Sequence, residues 1–246
     1  MNDINKIRKT LTRISATLKG SITQDEPFGL LSGYFGRAIF FSYYYKLTGK
    51  KRDLETLNYI VKKTVEALAK RELMYSHCSG IAGIAWCIQH LIKNELIEQD
   101  EQENIFEELN EPLFNYMKHD LRENHYDFLH QGLGIALYFL ERLPDTSAQN
   151  YLEEVVIQLQ KAGVTHHAGI SWKDNFTKKS EVNNQSANYN LGLAHGVLAI
   201  LSVLSMIHDK GIAVAETLAL IENGVNGCWR IRIRRVMAVH LYILQW

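Results

Sequence analysis

Three groups of residues in this chain could do chemistry. The first is His195, a lone titratable ring in the apolar run NYNLGLAHGVLAIL that starts at Asn188. The second is His130 with Asp127 three residues ahead of it, in HYDFLHQGLG. The third is the set of thiols, Cys78, Cys87 and Cys228, the first two interleaved with His77 and His90. An imidazole with a carboxylate partner can take up and return a proton near neutral pH. Thiols and imidazoles bind zinc, but a catalytic zinc needs three protein ligands converging on one point. No Cys-x-x-Cys or Cys-His spacing marks such a set here, so Cys78 and Cys87 read as small buried hydrophobes. Asp127 has two readings at this point, a turn or cap carboxylate and a group that orients a histidine.

His130 and His195 each open an apolar segment that starts with small or polar residues. Two further segments have the same form, SGYFGRAIFF from Ser32 and SGIAGIAWCI from Ser79. Counted from Ser32, Ser79, His130 and His195, the spacings are 47, 51 and 65 residues. That is a helical-hairpin repeat of roughly 50 residues, within the range that marks repeat arrays. The long third interval holds a polar loop, Gly163 to Asn190, with no helical stripe. Between the apolar segments lie amphipathic helices: Ile4, Ile7, Leu11, Ile14 and Leu18 share one face, as do Leu57, Ile60, Val61, Val65 and Leu68. Leu152, Val155, Val156 and Leu159 form a third stripe, and Ile212, Ala215, Leu218 and Ala219 a fourth.

Amphipathic outer helices alternating with all-apolar inner ones predict an all-α protein, an α/α toroid of helical hairpins. If the inner helices run the same way, Ser32, Ser79, His130 and His195 gather at one mouth. Serine at such a position reads as an N-cap; histidine caps poorly, which makes His130 and His195 the chemical candidates. A helix N-terminus disfavours imidazolium and would stabilise an enolate or a thiolate formed beside it.

Composition narrows the class. Lys+Arg 27 balances Asp+Glu 27, so no net field favours nucleic acid or an anionic membrane. The N-terminus MNDINKIRKTLTRISATLKG lacks the apolar core of a signal peptide, and Leu191 to Ile207 falls short of a spanning helix. Three cysteines without paired spacing fit a reducing, cytoplasmic setting.

The GLAHG of Gly192 to Gly196, the YDFLHQGLGIALYFL of Tyr126 to Leu140 and the repeated SGxxG together resemble the lanthionine synthetase C-like family, over Phe28 to Leu220. The resemblance implies an α/α toroid. It also implies thioether ring formation in a dehydrated, lantibiotic-like precursor peptide, by addition of a cysteine thiol to dehydroalanine or dehydrobutyrine, with a dehydratase as a further partner. It assigns acid/base roles to His195 and Asp127, and zinc to the cofactor role. The family's zinc ligands, a Trp-Cys-Tyr-Gly cysteine and a later Cys-His pair, have no match in these 246 residues; Cys228 sits in Gly-Cys-Trp-Arg. Stoichiometric zinc is therefore not expected, and the chain alone is expected to be inactive. The segment 227–246, crowded with Arg230, Arg232, Arg234 and Arg235, departs from the repeat pattern of 1–226 as a shifted reading frame would. Two other readings of the same residues are a non-catalytic toroid that binds a peptide or partner, and an α/α-barrel glycosidase.

Overall fold

The computed structural model describes residues 2–22, 26–68, 74–97, 102–167, 169–173 and 189–243. The chain packs as two compact units, Met1–Ile105 and Phe106–Trp246. The first holds α1 (Asn2–Gly20), α2 (Arg37–Thr48), α3 (Lys51–Leu68) and α4 (Ile81–Lys93). The second holds α5 (Gln102–Arg122), which begins at the boundary, then α6 (Ala136–Arg142), α7 (Thr146–Ala162), a two-strand hairpin, α8 (Val197–Asp209) and α9 (Val214–Ile243). No helix among the described residues is long and apolar enough to cross a membrane.

The apolar stripes locate α7 correctly: Leu152, Val155, Val156 and Leu159 are all buried. They mislead elsewhere. On α1 the docked residue is Ser15, while Ile4, Ile7 and Ile14 face solvent. On α3 Leu57 and Ile60 are buried with Thr64 and Asp53, whereas Val65 is exposed. Of the inner segments, α4 is buried on most sides, but α2 leaves Tyr43 and Leu47 exposed.

The fourth stripe is also out of register. Ile212 precedes α9, and Ala215, Leu218 and Ala219 are exposed; the buried face is Thr217, Leu220, Gly224 and Gly227. Close approach explains this choice. The hairpin pairs Val164–His166 with Gly169–Ser171 in antiparallel register, Thr165 opposite Ile170. A methyl group on Gly227 would lie 2.1 Å from the Ile170 carbonyl oxygen, and one on Gly169 would lie 2.1 Å from that of Asn223. Only a side-chain-free surface lets helix and strand meet so closely. The hairpin occupies the start of the segment expected as a structureless loop, and residues 174–188 of that loop lie outside the described residues. The expected boundary at residue 226 falls inside α9, which continues to Ile243.

The glycine repeat has a backbone cause. Tyr34, Ile81 and Val197 each donate their N–H to the carbonyl seven residues back: Pro27, Met74 and Asn190, at 2.8–2.9 Å. The glycine just before each donor, Gly33, Gly80 or Gly196, has that same carbonyl oxygen 2.1–2.2 Å from where a Cβ would stand. The second glycine of S-G-x-x-G repeats the relation: a Cβ on Gly36 would stand 2.2 Å from Leu30 O, and one on Gly83 would stand 1.9 Å from His77 O. Each loop therefore folds back on the helix it introduces, and a methyl group would collide with backbone that cannot swing aside. Gly80→Ala should destabilise the protein by about 2 kcal/mol or more. Gly20→Ala, where nothing lies within 4 Å, should change little; urea denaturation of both variants is the check.

In the first unit His77 is buried, with its ring edge-on to Trp86 at 5.8 Å. Burial lowers its pKa from 6.5 to about 4. The unfolded chain then binds a proton below 6.5 that the folded chain refuses until about 4, so the neutral ring's full contribution holds above 6.5 and is lost as pH falls through that window. The difference amounts to about 3 kcal/mol. Stability of His77→Gln should therefore depend less steeply on pH between 4 and 6.5 than that of the parent, as chemical denaturation across that range would show.

Candidate acid–base site

The second unit brings together two of the segments singled out by the sequence. Asp127 lies in the loop between α5 and the 3-10 turn Gly132–Ile135 that leads into α6. His195 lies in the loop ahead of α8. Each histidine precedes a helix N-cap by one residue: His130 before Gln131, and His195 before Gly196. Ser79 holds the same place before Gly80, and its hydroxyl pairs with Ser76 at 3.1 Å, so it does not cap the helix. Ser32 stands five residues ahead of α2, whose N-cap is Gly36. Ser32 and Ser79 do lie in adjoining loops of the first unit, where Ser32 N donates to Cys78 O at 3.4 Å.

Asp127 is 2% exposed, and both of its carboxylate oxygens are engaged. Oδ1 accepts from Leu129 N at 2.9 Å and His130 N at 2.8 Å. Oδ2 meets His195 Nδ1 at 2.5 Å. The two readings of Asp127 are thus both met, one by each oxygen. The carboxylate closes its own loop and clamps a histidine 68 residues away in sequence. A carboxylate acceptor places the imidazole proton on Nδ1 and leaves the lone pair on Nε2. His195 keeps 34% of its side chain exposed while that of Asp127 has none. A buried carboxylate thus backs a half-open imidazole, a geometry that can pass a proton between the ring and a group in solvent.

His130 stacks on His195, with ring centroids 5.7 Å apart and planes 9° from parallel. Potential ligand atoms of Asp127, His130 and His195 lie within 4.8 Å of one another, the one grouping of three metal-capable side chains among the described residues. Sequence reading missed Gln131, whose Oε1 accepts from Asp127 N at 3.1 Å and stiffens the same loop. It also missed Asn190, whose side chain holds Gly192 N at 2.8 Å while its carbonyl receives Val197 N. An asparagine six residues ahead of the motif glycine was the available signal.

His77, Cys78, Cys87 and His90, interleaved in sequence, form no metal-ligand group among the described residues. Trp86 contacts both histidines, edge-on to His77 and stacked on His90 at 5.3 Å, and His90 Nε2 pairs with the Tyr43 hydroxyl at 3.0 Å. Cys87 is fully buried, and burial pushes its thiol pKa far up. Cys228 borders a 270 Å³ cavity with Leu191, Leu198, Leu201, Val225 and Trp229, and burial raises its thiol as well. That lining supplies no second ligand.

The model of the lanthionine synthetase C-like family matches residues 24–229, and the chain belongs to that family. Among solved structures the chain is similar to nisin cyclase, with a TM-score of 0.58 at 20% identity over 91% of this chain. At that identity the likeness speaks for the fold, and the fold is the all-α toroid class that the helix alternation predicts. The match spans 57% of the nisin cyclase chain. A comparison with curated proteins finds no match.

Proposed function

We propose that this chain supplies the acid–base half of a thioether-forming cyclase acting on a dehydrated precursor peptide. The observation that carries the reading is the 2.5 Å contact between His195 of GLAHG and buried Asp127. His195 Nε2 takes the proton of a peptide cysteine thiol. The sulfur bonds to the β-carbon of dehydroalanine or dehydrobutyrine, and the alkene electron pair moves toward the adjoining carbonyl as an enolate. His195 then returns its proton to the α-carbon, so one group serves as base and acid in turn. Asp127 fixes the tautomer and stabilises the imidazolium between the two transfers. The N-terminus of α8 adjoins His195 and favours negative charge there.

Zinc, the family's cofactor, would lower the thiol pKa if it were bound. The residues present do not fit it. The thiols of Cys87 and Cys228 are raised by burial, and Asp127 has committed one oxygen to two amides and the other to His195. The single chain is therefore expected to hold no stoichiometric zinc and to cyclise poorly. The glycosidase reading needs a second carboxylate beside Asp127, and its neighbours in the cluster are imidazoles. Variants at His195 and Asp127, assayed for cyclisation and for peptide binding, test the proposal; binding with no dependence of chemistry on either residue would leave a binding toroid.

A further inference from the structure

Helix α1 of the first unit carries a surface that takes no part in the chemistry proposed above. Ile4, Ile7, Leu11, Ile14 and Leu18 recur at intervals of three and four residues and so share one side of the helix. That side is not the one on which α1 docks. Polar contacts hold the helix: Ser15 is buried, the Thr12 and Tyr44 hydroxyls pair at 3.3 Å, and Lys19 Nζ donates to Asp53 Oδ1 at 2.6 Å. Ile4 is left 61% exposed, Ile7 57% and Ile14 39%, and Leu11 and Leu18 are only half-buried. Leu47, at the end of α2, is 61% exposed and borders a 250 Å³ groove together with Arg8 and Leu11. Single exposed aliphatic residues are ordinary on a protein surface, but a row of them along about four helical turns is an uncovered face.

The same helix is strongly basic, although charge balances over the whole chain. Lys6, Arg8, Lys9, Arg13 and Lys19 stand against Asp3 alone. Lys19 is paired with Asp53, whereas among the described residues the other four cations make no ion pair. Lys6 and Arg8 flank the apolar row on its two sides, while Lys9 and Arg13 lie behind it and add field at longer range. This combination narrows the occupant. A second copy of the chain would bring these cations against their own kind, and four exposed side chains cover little of the roughly 800 Å² per partner that a stable interface buries. A lipid surface needs no matching shape: the acyl region takes up the aliphatic row, and anionic headgroups take up the cations at its edges.

We infer that α1 is an interfacial helix that lies on an anionic lipid surface, with Ile4, Ile7, Ile14 and Leu47 immersed and Lys6 and Arg8 among the headgroups. Flotation of the whole chain with vesicles tests this, because bound protein rises with the lipid while aggregate does not. Phosphatidylcholine vesicles containing roughly 30% phosphatidylglycerol should bind the chain at least about tenfold more tightly than pure phosphatidylcholine. That binding should fall steeply between about 0.1 and 0.5 M salt.

Ile7→Ser should weaken binding about tenfold, and Lys6→Gln or Arg8→Gln about fivefold. Ile157→Ser and Lys161→Gln make the same changes on α7 in the other unit and should leave binding unaltered. All five positions are exposed, so folding is not at stake in these variants. The inference is overturned if anionic vesicles float no protein, if neutral vesicles bind it equally well, or if Ile157→Ser weakens binding as much as Ile7→Ser does. A concentration-dependent dimer that Ile7→Ser abolishes, with no vesicle binding, would assign the face to a second copy and overturn it as well.

Discussion

His195→Ala, in a version of this chain extended with the family's zinc-bearing repeats, should lower the rate of cyclisation by about 10²-fold or more, the scale set by loss of a general acid–base group. Affinity for the dehydrated precursor should change little, because the imidazole is asked to move protons and not to hold the peptide. Asp127→Asn is the sharper variant. The amide oxygen can still accept from Leu129 N and His130 N, so the loop keeps its closure. The amide nitrogen, turned toward His195, can only donate. It would force the lone pair onto Nδ1 and the proton onto Nε2, the wrong tautomer for a base at the open side. A loss of similar size with unchanged melting temperature is the expected result. If both variants cyclise at the parent rate, the roles assigned to His195 and Asp127 are wrong.

Purified as the single chain, the protein should carry no stoichiometric zinc and show little cyclase activity. A cysteine thiol of pKa about 8.5 is only about 3% ionised at pH 7. Whatever residual addition occurs should therefore rise about tenfold per pH unit up to that pKa, as free thiolate replaces the metal-bound one. Metal analysis together with a pH series of the addition reaction checks both statements. One tightly held zinc per chain, lost with activity on Cys228→Ala, would promote the Gly-Cys-Trp-Arg segment to a ligand donor. Zinc lost on His130→Ala would instead make Asp127, His130 and His195 a ligand set. Either outcome overturns the metal-free reading.

What the sequence determined by itself was whatever repeats. Four apolar segments with small or polar starts, at spacings near 50 residues, announced the helical hairpins, and GLAHG with YDFLHQGLG announced the family and the two residues for which acid–base roles are proposed. These signals survive in one dimension because they are local: a helix face, a glycine beside a helix start, a histidine one residue ahead of the cap. Tertiary structure decided what depends on a partner distant along the chain. Nothing in HYDFLHQGLG said that one oxygen of Asp127 would cap its own loop while the other reached His195. The faces of α1 and α9 went the same way. Apolar periodicity put Ile4, Ile7, Ile14 and Leu218 inside, yet packing chose Ser15, Gly224 and Gly227, the last of which lies so near strand backbone that an added Cβ would stand 2.1 Å from it. Hydrophobic pattern records the energy of leaving water, whereas close approach of backbones records the absence of a side chain, and only the folded neighbour reveals which of the two governs a given face.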